Sequence, residues 1–190
     1  MHFFIGNKEE RLARQLRDGD RGALKDFYTL YADYLTAVCA RYITDDEDLK
    51  DVLQDSLLNI ITHIQNFNYQ GAGSLQAWAS RIVVNESLKH LKKKHQGELT
   101  RLDCDIPDEA EGDDPFVRDI PPEVFQQMIR ELPVGYRTVF CLYVFEDKSH
   151  QEIADLLGIK KDTSCSQFSR AKNLLAKKIT AYNNSKQHSR

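Results

Sequence analysis

No stretch of this 190-residue chain approaches a long apolar run. Spanning a bilayer takes roughly 20 consecutive apolar residues, so membrane insertion is not expected. Cysteine is scarce and scattered. Cys39, Cys104, Cys141 and Cys165 form no Cys-x-x-Cys pair, and no histidine stands at ligand spacing from any of them. That pattern argues against structural zinc or a disulfide framework, and for free, mostly buried thiols in a reducing compartment. His63, His90, His95 and His150 share no ligand spacing either, so neither a metal nor a cofactor is expected. A phosphate-binding loop and a nucleophile–base pair are both missing, which argues against an enzyme and against a small-molecule substrate. The start of the chain has only a short apolar patch, Phe3-Phe4-Ile5, soon followed by Glu9-Glu10. It is too short and wrongly flanked for a signal peptide, and a cytoplasmic location is the expectation. No segment alternates with the period of a strand, and no internal repeat is present.

What is there is charge, unevenly distributed. The formal net charge is only −3. Residues 1–95 sum to zero, residues 96–125 to −8, and residues 126–190 to +5. An acidic segment therefore hides a basic C-terminal region, an asymmetry that points to a nucleic-acid partner better than the total does.

The apolar periodicity is helical throughout. Leu24, Phe27, Tyr28, Tyr31, Leu35, Val38 and Tyr42 form one stripe at three- and four-residue steps. Leu49, Val52, Leu53, Leu57, Ile60, Ile61 and Ile64 form a second. Asp45 or Asp46 suits the cap of that second helix. Residues 66–73, Asn-Phe-Asn-Tyr-Gln-Gly-Ala-Gly, read as a loop. Ser74 is placed to cap the helix that follows, which carries Leu75, Trp78, Ile82, Leu88 and Leu91. Periodicity then stops. Residues 96–121 hold Pro107, Pro115 and Pro121 among acids, the composition of a flexible linker. Order returns near Pro122. Ser149-His150-Gln151-Glu152 matches a capping box, Gly158 a helix stop, and Asp162 or Thr163 a further cap. The expected architecture is all-α: an N-terminal helical bundle over 1–95, an acidic flexible linker over 96–121, and a C-terminal helix-turn-helix bundle over 122–190.

Three surfaces follow. Ser149 to Lys172 reads as a helix-turn-helix whose second helix would enter the major groove. Ser164, Cys165, Ser166, Ser169, Arg170 and Lys172 are expected outward, with Arg170 the main base reader, because a bidentate arginine–guanine contact discriminates by about 1–3 kcal/mol. Lys160, Lys161 and Thr163 suit phosphates. The alternative is an αα-hairpin with a solvated basic face. Next, Arg81, Asn85, Lys89 and Lys92 share a helix face beside Phe67, Asn68, Tyr69 and Gln70. Stackable aromatics, amides and cations suit single-stranded DNA, although a solvated basic helix end fits equally. Trp78 reads as core rather than as a base-stacking residue. Last, Asp51, Gln54, Asp55 and Leu58 lie opposite the second stripe, either as a solvated face or as a dock for a basic protein surface.

Taken in order, these residues resemble a known family. Asp51-Val52-Leu53-Gln54-Asp55, Gly73-Ser74-Leu75-Gln76-Ala77-Trp78 and Arg81-Ile82-Val83-Val84-Asn85 resemble the first domain of extracytoplasmic-function sigma factors. Leu132-Pro133, Tyr136-Arg137-Thr138-Val139-Phe140, Glu152-Ile153-Ala154, Leu157-Gly158-Ile159 and Ser169-Arg170-Ala171-Lys172 resemble the second. The resemblance implies that the Asp51, Gln54, Asp55 and Leu58 face docks on the clamp helices of core RNA polymerase. It implies that the Phe67–Gly73 loop and the Arg81 helix capture the melted minus-ten strand, and that the helix-turn-helix reads duplex promoter DNA at minus thirty-five. It further implies that the linker threads the polymerase cleft and that an anti-sigma factor inhibits the protein. At about 3.3–3.6 Å per residue the linker reaches at most roughly 85–95 Å, more than the roughly 60 Å between promoter elements under two helical turns apart. Cys165 and Gln167 stand where the family often has basic residues, which shifts base reading towards Ser166, Ser169 and Arg170. Lys50 stands where an acid is usual. The alternative function is an operator-binding helix-turn-helix regulator acting without core polymerase; a helical interaction module with no DNA role is a further one.

Overall fold

The structure, a computed structural model, describes residues 3–100 and 120–187. Most of the expected linker, with Cys104, Pro107 and Pro115, lies outside the described residues. Every described element is helical, as the periodicity predicts, and the chain divides into two compact units at His90/Leu91.

In the first unit, α1 (Phe3–Arg17) ends at Gly19, whose φ of +75° is a left-handed conformation that glycine adopts without strain. Helix α2 (Arg21–Ala40) starts where the Asp20 carboxylate accepts from the Gly22 N–H at 2.7 Å. Helix α3 (Asp46–His63) is capped by Asp45, which accepts from the N–H groups of Glu47 and Asp48. Asp46, Glu47 and Asp48 in the first turn complement the positive end of the helix dipole. A single 3-10 turn (Ile64–Asn66) leads to the loop before α4 (Ser74–Thr100).

The core of this unit is built from Phe27, Leu35, Val38 and Tyr42 of one predicted stripe and Val52, Ile60 and Ile64 of the other, closed by Leu75, Ala79 and Val83 of α4. Leu24, Tyr28 and Ile61 were expected inside with their stripes but stay exposed. They sit at the edges of the stripes, where α2 and α3 leave a surface groove also lined by Leu57 and Lys50.

The second unit takes in residues from Leu91 onward. Helix α4 does not stop at residue 95. Its backbone leaves helical geometry at His95 (φ −129°) and then continues to Thr100. Leu99 is wholly buried within this unit, and the Gln167 carboxamide donates to its carbonyl at 2.9 Å. Residues 96–100 are thus part of a packed helix, contrary to the expected linker boundary. Composition hid this because one buried leucine sits among polar neighbours. Close approach here also needs Gly135: a Cβ at that position would lie 2.9 Å from Gln167 Nε2 and 3.0 Å from the Glu98 carbonyl oxygen.

Helix α5 (Pro122–Arg130) begins with proline in its first turn, where the missing N–H costs no bond. Helix α6 (Val134–Val144) is the centre of the unit, buried without interruption from Gly135 to Leu142. Its Arg137 is buried because Nη1 donates to the carbonyls of Arg130 and Leu132, at 3.1 and 2.9 Å. Helices α7 (His150–Leu157) and α8 (Lys161–Gln187) complete it. Leu157, Ala171, Leu175 and Ile179 face the core from these two helices.

Candidate nucleic-acid and polymerase interfaces

The α7–turn–α8 motif forms as its local signals dictate. The Ser149 hydroxyl accepts from the Glu152 N–H, and the Glu152 carboxylate accepts from the Ser149 N–H at 2.9 Å, a reciprocal capping box. These bonds hold the Glu152 carboxyl below its usual pKa. Gly158 ends α7 in the left-handed conformation, with φ +68°. Helix α8 begins at Lys161, so the expected caps Asp162 and Thr163 lie inside its first turn. Asp162 there acts on the helix dipole instead.

An aromatic cluster fixes the angle between the motif's helices. Tyr143 of α6 packs on Phe168 of α8 (4.4 Å between ring centroids) and on His150 of α7 (4.8 Å). His150 Nδ1 lies 3.0 Å from the Ser164 hydroxyl. Burial, and then the nearby Lys161 charge, push the His150 pKa down.

This corrects one predicted reader. Ser164 is wholly buried and cannot face a base. Helical period explains it: Ser164 shares the inner face with Gln167, Ala171 and Leu175. Lys160, Lys161 and Lys172 are exposed. Thr163, Cys165, Ser166, Ser169 and Arg170 are half-buried along the outer side and flanks of α8. Lys172 Nζ sits 5.6 Å from the centre of the Phe168 ring, within cation–π range. Gln167, at a position where the resembled family often has a basic residue, faces inward to bind Leu99.

In the first unit the loop before α4 divides by exposure. Phe67 was expected to stack on a base, but it is 97% buried and its ring packs against Trp78 at 5.3 Å. It belongs to the core because it follows directly on the 3-10 turn that enters the bundle. Asn68 and Gln70 are exposed and Tyr69 is half-buried. Gly71 and Gly73, with φ of +118° and +86°, shape the exit. Ser74 does not cap α4 as expected. Its hydroxyl turns back into the loop, donating to the Gly71 carbonyl at 2.7 Å and accepting from the Gln70 N–H at 3.2 Å.

The free amides of α4 are taken by Glu9 of α1, which sequence reasoning missed. Its carboxylate accepts from the N–H groups of Gly73 (2.6 Å), Leu75 (3.0 Å) and Gln76 (3.3 Å). The Tyr31 hydroxyl lies within 3.4 Å of it, and burial followed by this carboxylate pushes that hydroxyl up to about 12. Nothing in the sequence around Glu9 marks it, since the backbone amides it binds are more than 60 residues away.

Arg81, Asn85, Lys89 and Lys92 are all exposed along α4, with Lys89 paired to Glu86 at 3.3 Å. Glu86 in turn accepts from Asn59 of α3 at 2.9 Å. On α3, Asp51, Gln54 and Asp55 are exposed and Leu58 is 61% exposed. Cys39, Cys141 and Cys165 form no disulfide, and burial raises the Cys39 thiol to about 11. Among the described residues no group of three or more His, Cys, Asp and Glu side chains could hold a metal ion, and no helix is long and apolar enough to cross a membrane.

Residues 27–96 match the family model for sigma-70 region 2, and residues 123–175 match that for sigma-70 region 4. The chain is similar to the ECF RNA polymerase sigma factor SigW of Bacillus subtilis, 25% identical over 178 residues that cover 87% of this chain and 94% of that relative. It is similar to the RNA polymerase sigma-H factor of Pseudomonas aeruginosa, 22% identical over 183 residues, covering 90% and 94%. Among solved structures it is similar to the sigma factor RpoE of Bartonella quintana in complex with the anti-sigma factor NepR, at 20% identity and a TM-score of 0.46, covering 83% of this chain and 96% of that one.

Proposed function

The chain belongs to the sigma-70 family, as an alternative sigma factor of the extracytoplasmic-function type that acts with RNA polymerase, and from that premise we propose how its two helical units divide promoter recognition. The exposed Asp51, Gln54, Asp55 and Leu58 face of α3 docks on core polymerase. Acids beside an uncovered leucine favour a basic protein surface with an apolar contact at its centre. Asn68, Tyr69 and Gln70 capture an unstacked base of the melted minus-ten strand, while Arg81, Asn85, Lys89 and Lys92 hold its phosphates. Exposed amides, a tyrosine ring and a cationic helix supply the edge, face and backbone contacts that single-stranded DNA requires. The α7–α8 motif reads duplex DNA upstream. There Arg170, Ser166 and Ser169, with Cys165 beside them, face the base edges, and Lys160, Thr163 and Lys172 hold the phosphates.

Residues 101–121, between α4 and α5, carry a net charge of −6, which suits a segment that occupies a basic polymerase channel. The family also implies an inhibitory anti-sigma partner, for which the uncovered Leu58, Ile61 and Tyr28 side chains offer apolar area.

The observation that carries the reading is order along one chain: a region 2 match at 27–96, most of it in the first helical unit, precedes a region 4 match at 123–175, which lies in the second. The test is in vitro transcription with purified core polymerase over a randomised promoter library. The reading expects specific transcripts only when this chain is added, and expects the chain to co-purify with core. Tight duplex binding without core, and no transcripts with it, would instead favour an operator-binding regulator.

A further inference from the structure

Glu9 is a carboxylate that is 95% buried at a place where no base or phosphate is read. A buried carboxylate is costly unless hydrogen bonds satisfy it. Here three backbone amides and a tyrosine hydroxyl do so, at the positive end of a helix dipole. Its shortest bond goes not to the helix but to Gly73, the last residue of the loop. The loop's entry is fixed by Phe67 in the core against Trp78. Between these two anchors only Asn68 to Ala72 remain, and Asn68 and Gln70 point to solvent. Tyr69 lies close enough that, after partial burial, the Glu9 and Glu10 carboxylates push its hydroxyl upward.

We propose that Glu9 is a positioning residue for strand capture: by pinning the Gly73 exit from α1, it holds Asn68, Tyr69 and Gln70 in the conformation that receives an unstacked base. The inference rests on reading that loop as the base-capture element. Its physical content is preorganisation. A short span held at both ends loses less conformational freedom when a base binds, so binding is tighter without any contact from Glu9 to DNA. The α1 helix thereby contributes to strand capture although it lies outside the region 2 match.

The test compares Glu9→Gln with wild type in holoenzyme assembled from core polymerase. Glutamine keeps the shape but replaces one acceptor oxygen with an amide that confronts donors. Three quantities are measured: affinity for core, affinity for duplex upstream promoter DNA, and promoter opening read by a fluorescent base analogue in the minus-ten strand. The expected result is unchanged core and duplex binding with opening reduced about tenfold, the scale of losing a charge-assisted hydrogen bond. In an Asn68→Ala, Tyr69→Ala, Gln70→Ala background, Glu9→Gln should cause no further loss. Multiplicative losses in that background, or a parallel fall in core affinity, would overturn the proposal, because Glu9 would then serve only the fold. Should Glu9→Gln fail to fold, Tyr31→Phe removes a weaker partner of the same carboxylate. It should lower opening two- to threefold, and unchanged opening would overturn the proposal. A triple-alanine loop that opens promoters normally defeats the base-capture reading itself. A defective triple variant beside a normal Glu9→Gln defeats the role of Glu9 alone.

Discussion

The C-terminal unit carries its candidate DNA surface on a helix; the N-terminal unit carries its own on a loop. The start of α7 is fixed by neighbours in sequence, Ser149 and Glu152, and its end by Gly158. The loop before α4 is fixed by Phe67 in the core and by Glu9, 64 residues away from Gly73. Local chemistry sets the ends of α7, and the Tyr143–Phe168 contact with the Gln167 bond to Leu99 then sets α8, the helix proposed to read duplex DNA. The loop before α4 is held in part by its own end, where Ser74 binds Gln70 and Gly71, and in part by Phe67 and Glu9.

Three tests would break or sharpen that contrast. The largest effect should come from the loop's anchor. Phe67→Ala should cost the N-terminal unit about 3–5 kcal/mol, the usual result of emptying a buried aromatic site. Tyr69→Ala should stay within about 0.5 kcal/mol. Trp78, the only tryptophan, lies against Phe67 and reports the unfolding by fluorescence. Equal effects of the two changes would mean that the loop's residues do not divide into anchor and reader.

Next is Arg170→Ala. Losing a base-reading arginine should lower promoter-specific transcription about tenfold or more, from the 1–3 kcal/mol such contacts supply. Core affinity should not change. Ser164→Ala, which removes only the bond to His150, should leave promoter preference alone. A changed preference in Ser164→Ala would show that the inner face of α8 takes part in reading.

The smallest effect concerns the capping box. Ser149→Ala should destabilise the C-terminal unit by about 1 kcal/mol. It should also flatten that unit's acid sensitivity. In the folded protein the Glu152 carboxyl is held below its ordinary value. Its contribution is therefore complete above the unfolded value and lost as pH falls through the folded one. His150, held below its ordinary value, adds a loss of the same sign at milder acidity, because the unfolded chain takes up that proton first. Denaturant unfolding from pH 7 down to about pH 2 should show both steps in wild type and a smaller Glu152 step in Ser149→Ala, whose backbone N–H still donates to the carboxylate. An unaltered acid limb in the variant would show that Glu152 is not bound as described.

The same contrast explains how much could be read in advance. The helices from α2 onward, the capping box, the Gly158 stop and the exposed α3 face were legible, because each depends on residues within a turn or two; α1, which carries no long apolar stripe, was not. Ser164 was misplaced by a phase error on α8, where three polar residues in a row mask which one faces in. Phe67 looked like a base-stacking aromatic because composition cannot separate a loop's first residue from a core's last. The helical extension to Thr100 was missed because a single Leu99 carries no periodicity. Glu9 left no local trace at all; its role exists only once α1 lies against the start of α4. Long-range hydrogen bonds to backbone amides are invisible to pattern, since the acceptor can be any acid and the donor any residue.

The central claim is that this chain opens promoters only as a subunit of RNA polymerase. Permanganate reactivity of thymines around the minus-ten element tests it most directly, on one promoter with core alone, the chain alone and both together. Reactive thymines should appear only in the mixture. Protection of the duplex by the isolated chain, with no reactive thymines when core is added, would contradict the account.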